Sequence, residues 1–262
     1  MSKFSALLLT AIMMTTSAGW SVAVHAEASG KDSAVQGPET LIERQLKKLD
    51  ATIPIESITK SPMPGIYKVM LKGGFVIYSS ENGQYFIKGD LLEVRGNQLV
   101  NLTEEVKSQQ NARLLKSLNQ EDMVIFAPTG ETKGVVYAFT DVDCGYCRKL
   151  HREVDQLNAL GIELRYLAFP RGGQQSPVHG KMTNAWCSAD RKQALTDLKT
   201  GKSISAEIQG DKAACSAVID NHYNLGVQMG INGTPAMVLE NGQVIPGYRP
   251  AADIARIINS QS

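Results

Sequence analysis

Four cysteines are the residues of this chain whose type and spacing point most directly to chemistry. Cys144 and Cys147 stand close together in the stretch DVDCGYCRKLH, whereas Cys187 and Cys215 lie far apart along the chain. A close cysteine pair is typical of a disulfide staple, of half a metal site, or of a dithiol that opens and closes during a reaction. The compartment must be known first, because disulfides persist mainly outside the cytoplasm.

The N-terminal residues predict export. Lys3 is followed by an apolar run from Ala6 to Met14, and compact residues end the segment at Ala26. This pattern is typical of a secretory signal peptide, residues 1–26, that is cleaved after Ala26. An uncleaved membrane anchor is the alternative, but a span needs about 20 mostly apolar residues. We therefore expect a mature chain that is not inserted in a membrane and that keeps all four cysteines. Its expected compartment is a bacterial periplasm.

The composition is that of an ordinary globular protein. Of the 262 residues 43% are hydrophobic and 20% charged, and the formal net charge is +1. Without an excess of basic residues there is little to attract a phosphate backbone, so nucleic acid is not an expected partner.

Residues 27–102 are expected to form a small α+β domain. A short amphipathic helix follows Pro38, and from Gly65 onward come short runs of β-branched and aromatic residues, with a predicted hairpin turn at Asn82-Gly83. A domain of this size buries a small share of its surface, and its last strand, near Gln98, leaves an open edge. These features favour dimerisation through this domain; a monomeric accessory domain is the alternative.

The rest of the chain divides into a linker helix over 103–122, with Thr103 as its expected N-cap, and a domain over 123–262. In that domain predicted strands and helices alternate, and the chain closes with a hairpin turning at Asn241-Gly242 and a last helix. One continuous helix is expected from Tyr146 to the residue before Gly161. The order of elements indicates an α/β architecture.

A staple and a metal site both explain the close pair poorly. In the chain-entropy model the short Cys144–Cys147 loop gives only about 2 kcal/mol of stability, against about 3.5 kcal/mol for a loop closed between Cys187 and Cys215. A zinc site needs four ligands, but the sequence has no second close cysteine pair and few histidines. A c-type haem needs histidine where Arg148 stands.

A redox pair fits the local sequence better. If a strand ends before Asp141 and a helix begins near Gly145, Cys144 lies at the helix N-terminus, where unpaired N–H groups favour the thiolate that attacks disulfides. Arg148 and its neighbours add positive charge. We therefore expect a lowered pKa for Cys144 and a shielded Cys147 one turn further along.

Several stretches together resemble a known family. CGYC at the start of a helix, with GTPAMV far downstream, resembles a thioredoxin-fold oxidoreductase. The longer stretches TDVDCGYCRKLH, NALGIELRYLAFPR, AWC and HYNLGVQMGINGTPAMVLENGQVIPGY closely resemble the DsbC family of periplasmic protein disulfide isomerases. The resemblance covers nearly the whole mature chain. It implies an α/β thioredoxin-like domain with a helical insertion, preceded by a small α+β dimerisation domain and a linker helix.

The resemblance also implies roles for the redox segment. Cys144 is the attacking thiolate that forms a mixed disulfide with a client, and Cys147 is the thiol that resolves stalled complexes. Gly145 and Tyr146 tune the redox potential.

Four further residues receive roles in the same way. Thr234 and a cis-Pro235 hold the client backbone near the pair. Cys187 and Cys215 form a structural disulfide in the helical insertion, although two buried free thiols are an alternative.

The implied partners are misfolded disulfide-containing clients, a second copy of the chain, and a membrane thiol reductase of the DsbD type, with no cofactor beyond the cysteines. One departure concerns Ala138, which stands where thioredoxins carry a buried proton-transferring Asp. Glycine at 145, where the related DsbG proteins carry proline, favours the isomerase. The alternatives are a dithiol oxidase of the same fold, and a holdase chaperone or binding module; chaperone activity is also expected to accompany isomerisation.

Other residues near the pair receive structural roles. We expect His151 to be an exposed helix histidine, with an electrostatic influence on the site as the alternative. Trp186 is expected to pack in the core, with a role as a substrate platform as the alternative, and Asp141 and Asp143 to shape a loop and take no part in acid–base chemistry.

Overall fold

The computed structural model describes residues 37–261 of the chain. The predicted signal peptide lies outside the described residues. Within this range no helix is both long and apolar enough to cross a membrane. The helices are α1 (Pro38–Leu49), α2 (Leu102–Lys116), α3 (Gly145–His151), α4 (Val154–Ala159), α5 (Pro177–Trp186), α6 (Arg191–Lys199), α7 (Lys212–Gln228) and α8 (Ala251–Asn259). The strands are β1 (Ile55–Lys60), β2 (Ile66–Leu71), β3 (Phe75–Ser80), β4 (Phe86–Ile87), β5 (Leu92–Arg95), β6 (Gln98–Asn101), β7 (Val124–Phe126), β8 (Gly134–Thr140), β9 (Ile162–Ala168), β10 (Ala236–Leu239) and β11 (Val244–Pro246).

The N-terminal part is a four-stranded antiparallel sheet covered by one helix. The strands lie in the order β1-β2-β3-β4, and α1 buries Ile42 and Leu46 against them. Gly83 adopts a φ of 67° in the turn between β3 and β4, as the predicted hairpin requires. Buried side chains of β2 and β3 contribute to two small apolar clusters, one with Tyr67 and Val69 under α1 and the other with Met70, Val76 and Tyr78.

A separate two-stranded hairpin, β5–β6, leaves much of its apolar surface in solvent. Leu92, Val94 and Leu99 are 48%, 77% and 65% exposed. Large apolar side chains clustered on a hairpin that forms its own two-stranded sheet are unusual for a surface that faces only water.

The helix α2 begins one residue earlier than the sequence indicates. Its N-cap is Asn101, whose Oδ1 accepts from the Glu104 N–H, so the assignment of Thr103 as N-cap was wrong. The Thr103 hydroxyl is buried and lies instead 2.6 Å from that of Tyr78, and it accepts from the Leu91 N–H. These hydrogen bonds connect the start of α2 to β3. The helix ends at Lys116, and residues 120–122 form a single 3₁₀ turn, so the linker helix predicted over 103–122 was too long.

One face of α2 packs closely on the turn between β10 and β11. A side chain at Gly242 would place a Cβ only 1.9 Å from the Ser108 carbonyl oxygen, and Gly242 also has a φ of 83°. The Asn111 Nδ2 donates to the Gly242 carbonyl at 3.2 Å. Glycine is thus needed at this turn for the approach of the helix as well as for the turn itself.

The C-terminal part is a five-stranded mixed sheet with helices on both faces. Its strand order is β11-β10-β8-β9-β7, with β8 and β9 parallel and the other pairs antiparallel. All seven residues of β8 are buried, which explains its almost continuous apolar sequence. Separate clusters of buried apolar side chains lie on the two faces of this sheet.

The helical segments are more broken than the sequence pattern suggests. The continuous helix predicted from Tyr146 is divided, because α3 ends at His151 and α4 starts at Val154. The helical insertion resolves into α5, α6 and α7. Trp186, 1% exposed, packs in the core as predicted.

Candidate active site

The close cysteine pair lies where the central strand turns into a helix. β8 ends at Thr140, and α3 begins at Gly145 with Cys144 as its N-cap. Both cysteines are free thiols and both are buried, Cys147 completely. Between them Gly145 is exposed and Tyr146 is 64% exposed, so the segment places these two residues in solvent and buries the two cysteines.

The loop before the pair is held by Asp141. Its Oδ1 accepts from the Asp143 N–H at 2.7 Å, which confirms the predicted loop-shaping role. Its Oδ2 accepts from the Arg171 Nε at 3.0 Å and from the Arg171 N–H at 3.0 Å. Because β8 and β9 are parallel, the residues that follow them meet at one edge of the sheet, and this ion pair ties the two loops together.

The loop before β10 faces Cys144. The Thr234-Pro235 peptide bond is cis, and the Cys144 thiol donates to the Thr234 carbonyl oxygen at 3.3 Å. The register of β10 on β8 places Ala236 opposite Phe139, so the residues just before Ala236 lie beside the end of β8. The structure therefore brings Thr234 and Pro235 together with the cysteine pair.

The surroundings of Cys144 favour its thiolate. Burial by itself raises the pKa of this thiol, but the nearby Thr234 side chain, the Cys147 N–H and the positive charge of Arg171 outweigh it and lower the pKa. The cation that acts on the sulfur is thus Arg171, a residue that the sequence argument did not select.

Cys147 behaves in the opposite way. Deep burial raises the pKa of its thiol, although Lys199, Thr140 and Thr234 act against that rise. The Cys144 thiol therefore ionises more readily, and the Cys147 thiol more readily stays protonated. This difference suits a nucleophile and a resolving thiol.

The Thr234 hydroxyl is placed to serve either sulfur. Its Oγ1 is buried, and among residues 37–261 it has no conventional hydrogen-bond partner. It lowers the pKa of both Cys144 and Cys147. A hydroxyl can rotate, so this one can donate to whichever sulfur carries negative charge.

An aromatic surface lies next to the pair. Tyr146 stacks on Tyr248 with ring centroids 6.2 Å apart, and the Lys149 ammonium lies 4.3 Å from the centroid of the Tyr248 ring. The Tyr248 hydroxyl donates to Glu153, which also accepts from the Ala251 N–H. The platform is therefore anchored to α8 and open to solvent at Tyr146.

The prediction that His151 is an exposed helix histidine was wrong. It is only 8% exposed, and its ring nitrogens lie 3.1 Å from the Tyr166 and Thr196 hydroxyls. Burial lowers the pKa of His151 to about 4, with Lys199 adding to the effect. His151 is thus a neutral, hydrogen-bonded core residue.

The second cysteine pair is bonded. Cys187 at the end of α5 and Cys215 on α7 form a disulfide with their Cα atoms 5.6 Å apart. The main chain at Gly210 closes over it, where a Cβ would lie 3.0 Å from the Cys215 sulfur. The bond joins two helices of the insertion and is remote in sequence from the redox segment.

Sequence reasoning missed two cations of the site. Arg171 follows β9, so the rule that residues after parallel strands meet at one edge could have indicated it. Lys199 comes from the end of α6 and is only 3% exposed. No motif in the sequence links that helix to the cysteines.

Metal ligands are not assembled in the described part of the chain. Residues 37–261 contain no group of three or more histidine, cysteine, aspartate or glutamate side chains placed to hold an ion.

Two family models match the chain. Residues 25–104 match the disulfide bond isomerase protein N-terminal domain, and residues 120–262 match a thioredoxin-like domain.

Similar curated proteins agree with these matches. The thiol:disulfide interchange protein DsbC of Escherichia coli strain K12 is 38% identical over 88% of this chain and 89% of its own length. The protein of the same name from Salmonella typhimurium is 40% identical over 80% of this chain and 83% of its own, and that from Haemophilus influenzae is 32% identical over 84% and 90%.

Proposed function

The chain belongs to the DsbC family of thiol:disulfide interchange proteins, and from this premise we propose that Cys144 and Cys147 carry its disulfide isomerase reaction. The observation that supports these assignments is the contrast between the two thiols. Cys144 has a lowered pKa beside Thr234 and Arg171, and Cys147 has a raised one beneath it.

Reshuffling follows from that contrast. The Cys144 thiolate attacks a non-native disulfide of a client; a bond forms from its sulfur to one client sulfur, and the other client sulfur leaves as a thiolate. A client thiolate then attacks the client sulfur of the mixed disulfide, which closes a different client disulfide and releases Cys144. No net oxidation occurs. Where no client thiol arrives, Cys147 attacks Cys144, the client leaves reduced, and the pair is oxidised.

The residues around the pair receive the remaining roles. Thr234 and Pro235 border Cys144 and hold an extended client segment against it. Tyr146, exposed and stacked on Tyr248, offers that client an aromatic surface, and Gly145 and Tyr146 set the redox potential of the pair. Cys187 and Cys215 serve as the structural disulfide.

The chain acts as a homodimer in the periplasm, with residues 1–26 as signal peptide, 27–102 as dimerisation domain, 103–122 as linker and 123–262 as catalytic domain. The exposed apolar side chains of β5–β6 support dimerisation, because a second copy can cover them. Because isomerisation needs Cys144 reduced in an oxidising compartment, a membrane thiol reductase of the DsbD type supplies the electrons, and the clients are misfolded proteins.

Refolding of scrambled ribonuclease tests this function. We expect wild-type protein to restore ribonuclease activity, and Cys144→Ala to restore none above the uncatalysed background. Oxidation of reduced ribonuclease without reshuffling of the scrambled form indicates a dithiol oxidase. Suppression of client aggregation that is equal in wild type and Cys144→Ala, with no reshuffling by either, indicates a holdase. Equal reshuffling by both proteins overturns the proposal.

A further inference from the structure

A buried lysine lies behind the redox pair. Lys199, the last residue of α6, is 3% exposed, and its Nζ donates to the Thr140 Oγ1 and to the Asp141 carbonyl oxygen. The ring centroid of Tyr166 lies 5.6 Å from the Nζ. A lysine is seldom buried without a group of opposite charge, so a counter-charge for Lys199 is expected near the end of β8.

Among the described residues, 37–261, no carboxylate pairs directly with Lys199. Asp141 gives its side-chain oxygens to Arg171 and to the Asp143 N–H, and offers Lys199 only its main-chain carbonyl. The negative charges that raise the pKa of Lys199 against its burial come first from Cys147, then from Asp141 and Cys144. The counter-charge that the structure offers this ammonium most strongly is therefore a thiolate of the redox pair.

Thr140 connects the lysine to the resolving sulfur. Because Lys199 donates to its Oγ1, the hydroxyl hydrogen of Thr140 is left to point elsewhere. The Thr140 side chain, next to the redox loop at the end of β8, lowers the pKa of the Cys147 thiol, as does the charge of Lys199. Thr140 thus accepts from the Lys199 Nζ and also acts on the Cys147 thiol.

We infer that Lys199, acting through Thr140, is a positioning residue that stabilises the Cys147 thiolate in the step that releases a client from Cys144. The inference rests on the proposed function and adds to it a source of charge for the less acidic thiol. Ala138, completely buried at the centre of β8, offers no ionisable group for this purpose.

In this step the Cys147 proton passes through the Thr140 hydroxyl to the amine form of Lys199, which becomes the ammonium. The Cys147 thiolate attacks the Cys144 sulfur, the bond between Cys144 and the client sulfur breaks, and the client sulfur leaves with the bonding electron pair and takes a proton from water. Lys199 then returns its proton to solvent. The client cysteine is reduced and the Cys144–Cys147 pair is oxidised.

Burial brings the pKa of Lys199 close enough to neutral pH for this proton transfer. It lowers the pKa of Lys199 to about 8, so the amine is accessible near neutral pH. The charged and titratable groups around Lys199 and the Cys147 sulfur are Cys144, Arg148 and His151 from the redox segment, Asp141 from the loop before it, Tyr166 from β9 and Arg171 from the loop after β9.

The test compares two lysines of the same helix. Lys199→Met removes the buried charge, and Lys192→Met removes an exposed one as the matched control. Replacing a buried charge by an apolar side chain of similar length commonly leaves stability unchanged or raises it, so the variant is expected to fold. In rapid mixing of reduced full-length protein with a fluorescent disulfide-linked peptide, the first phase reports attack by Cys144 and the second reports release by Cys147.

We expect Lys199→Met to slow release about tenfold at neutral pH and to move the pH midpoint of release upward by about one unit, with little change in attack. Thr140→Val should give a similar shift, and the double variant no more than either single variant. Lys192→Met should match wild type.

An unchanged pH profile of release in Lys199→Met overturns the inference, as does a slower release whose pH midpoint does not move. If Lys199→Met does not fold, Thr140→Val decides by the same criterion. Failure of the proposed function looks different, because wild type then shows no mixed disulfide at all.

Discussion

The two cysteine pairs of this protein carry the same side chain in opposite surroundings. Cys144 and Cys147 are free thiols at the end of a strand, and polar donors and cations act on their sulfurs. Cys187 and Cys215 are bonded between two helices, closed over by main chain and by apolar neighbours. Burial is common to both pairs, so it is not what separates reactive from inert sulfur; the neighbouring hydrogen-bond donors and positive charges are.

The largest expected effect is on activity, at the first pair. Cys144→Ser should lower the rate of scrambled-ribonuclease refolding to background, because the attacking thiolate is gone. Its free energy of unfolding should change by no more than about 1 kcal/mol, since a small buried side chain is replaced by one of similar size. Urea unfolding followed by circular dichroism measures the second quantity. A loss of stability as large as that caused by breaking the other pair would remove the contrast between them.

The complementary change is at the second pair. Cys187→Ala with Cys215→Ala should lower the free energy of unfolding by about 3.5 kcal/mol, from the loop that the disulfide closes. The rate of client attack by Cys144, measured at a temperature where the double variant is fully folded, should stay near that of wild type. A large fall in that rate, with the protein folded, would show that the second pair takes part in the chemistry.

Each pair also has a buried histidine nearby. His151 packs on Tyr166 beside the redox helix, and His222, on the same helix as Cys215, lies with its ring centroid 6.2 Å from that of Trp186. Burial lowers the pKa of both histidines to about 4. In the unfolded chain they titrate near about 6.5, so between the two values the unfolded state binds more protons and stability falls as pH falls.

We therefore expect each histidine to account for about 2 kcal/mol of lost unfolding free energy between pH 7 and pH 5. His151→Gln can keep a donor and an acceptor for Tyr166 and Thr196. In this variant the unfolding free energy lost between pH 7 and pH 5 should be smaller by that amount. Urea unfolding at a series of pH values measures it. An acid loss that is identical in His151→Gln and wild type would contradict the neutral, buried state of this side chain.

The smallest expected effect concerns the aromatic surface at the redox pair. Tyr146→Ala removes the exposed ring that is proposed to contact a client. An aromatic contact contributes about 1 kcal/mol, so its loss should raise KM for a peptide client a few-fold with kcat little changed. Tyr85→Ala, at an exposed tyrosine just before β4, is the control and should leave KM unchanged. A fall in kcat without a change in KM would place Tyr146 in the chemical step and not in client binding.

Much of the architecture was predictable because it depends on local patterns. The buried strand β8, the hairpin turns at Gly83 and Gly242, and the place of Cys144 at a helix start all follow from runs of apolar residues and glycine positions. The resemblance to a known family then brought Thr234 and Pro235 to the same site, which pattern alone could not do across that sequence separation.

What could not be predicted depends on contacts between distant segments. His151 has polar neighbours in sequence and looks exposed, yet Thr196 of α6 covers it. Lys199 stands at a helix end, where a lysine is usually solvated, but α6 packs that end under the redox loop. In both cases the missing information is the position of the helical insertion, which no local periodicity specifies.

In the proposed mechanism Cys144 is the one cysteine of the four that attacks clients. Cys147→Ser removes the resolving thiol and should therefore trap the mixed disulfide when the protein is mixed with a disulfide-containing client. Proteolysis and mass spectrometry without reduction should find the client joined to the peptide that carries Cys144, with Cys187 and Cys215 still joined to each other. A client joined to Cys187 or Cys215, or no mixed disulfide at all, would contradict the account.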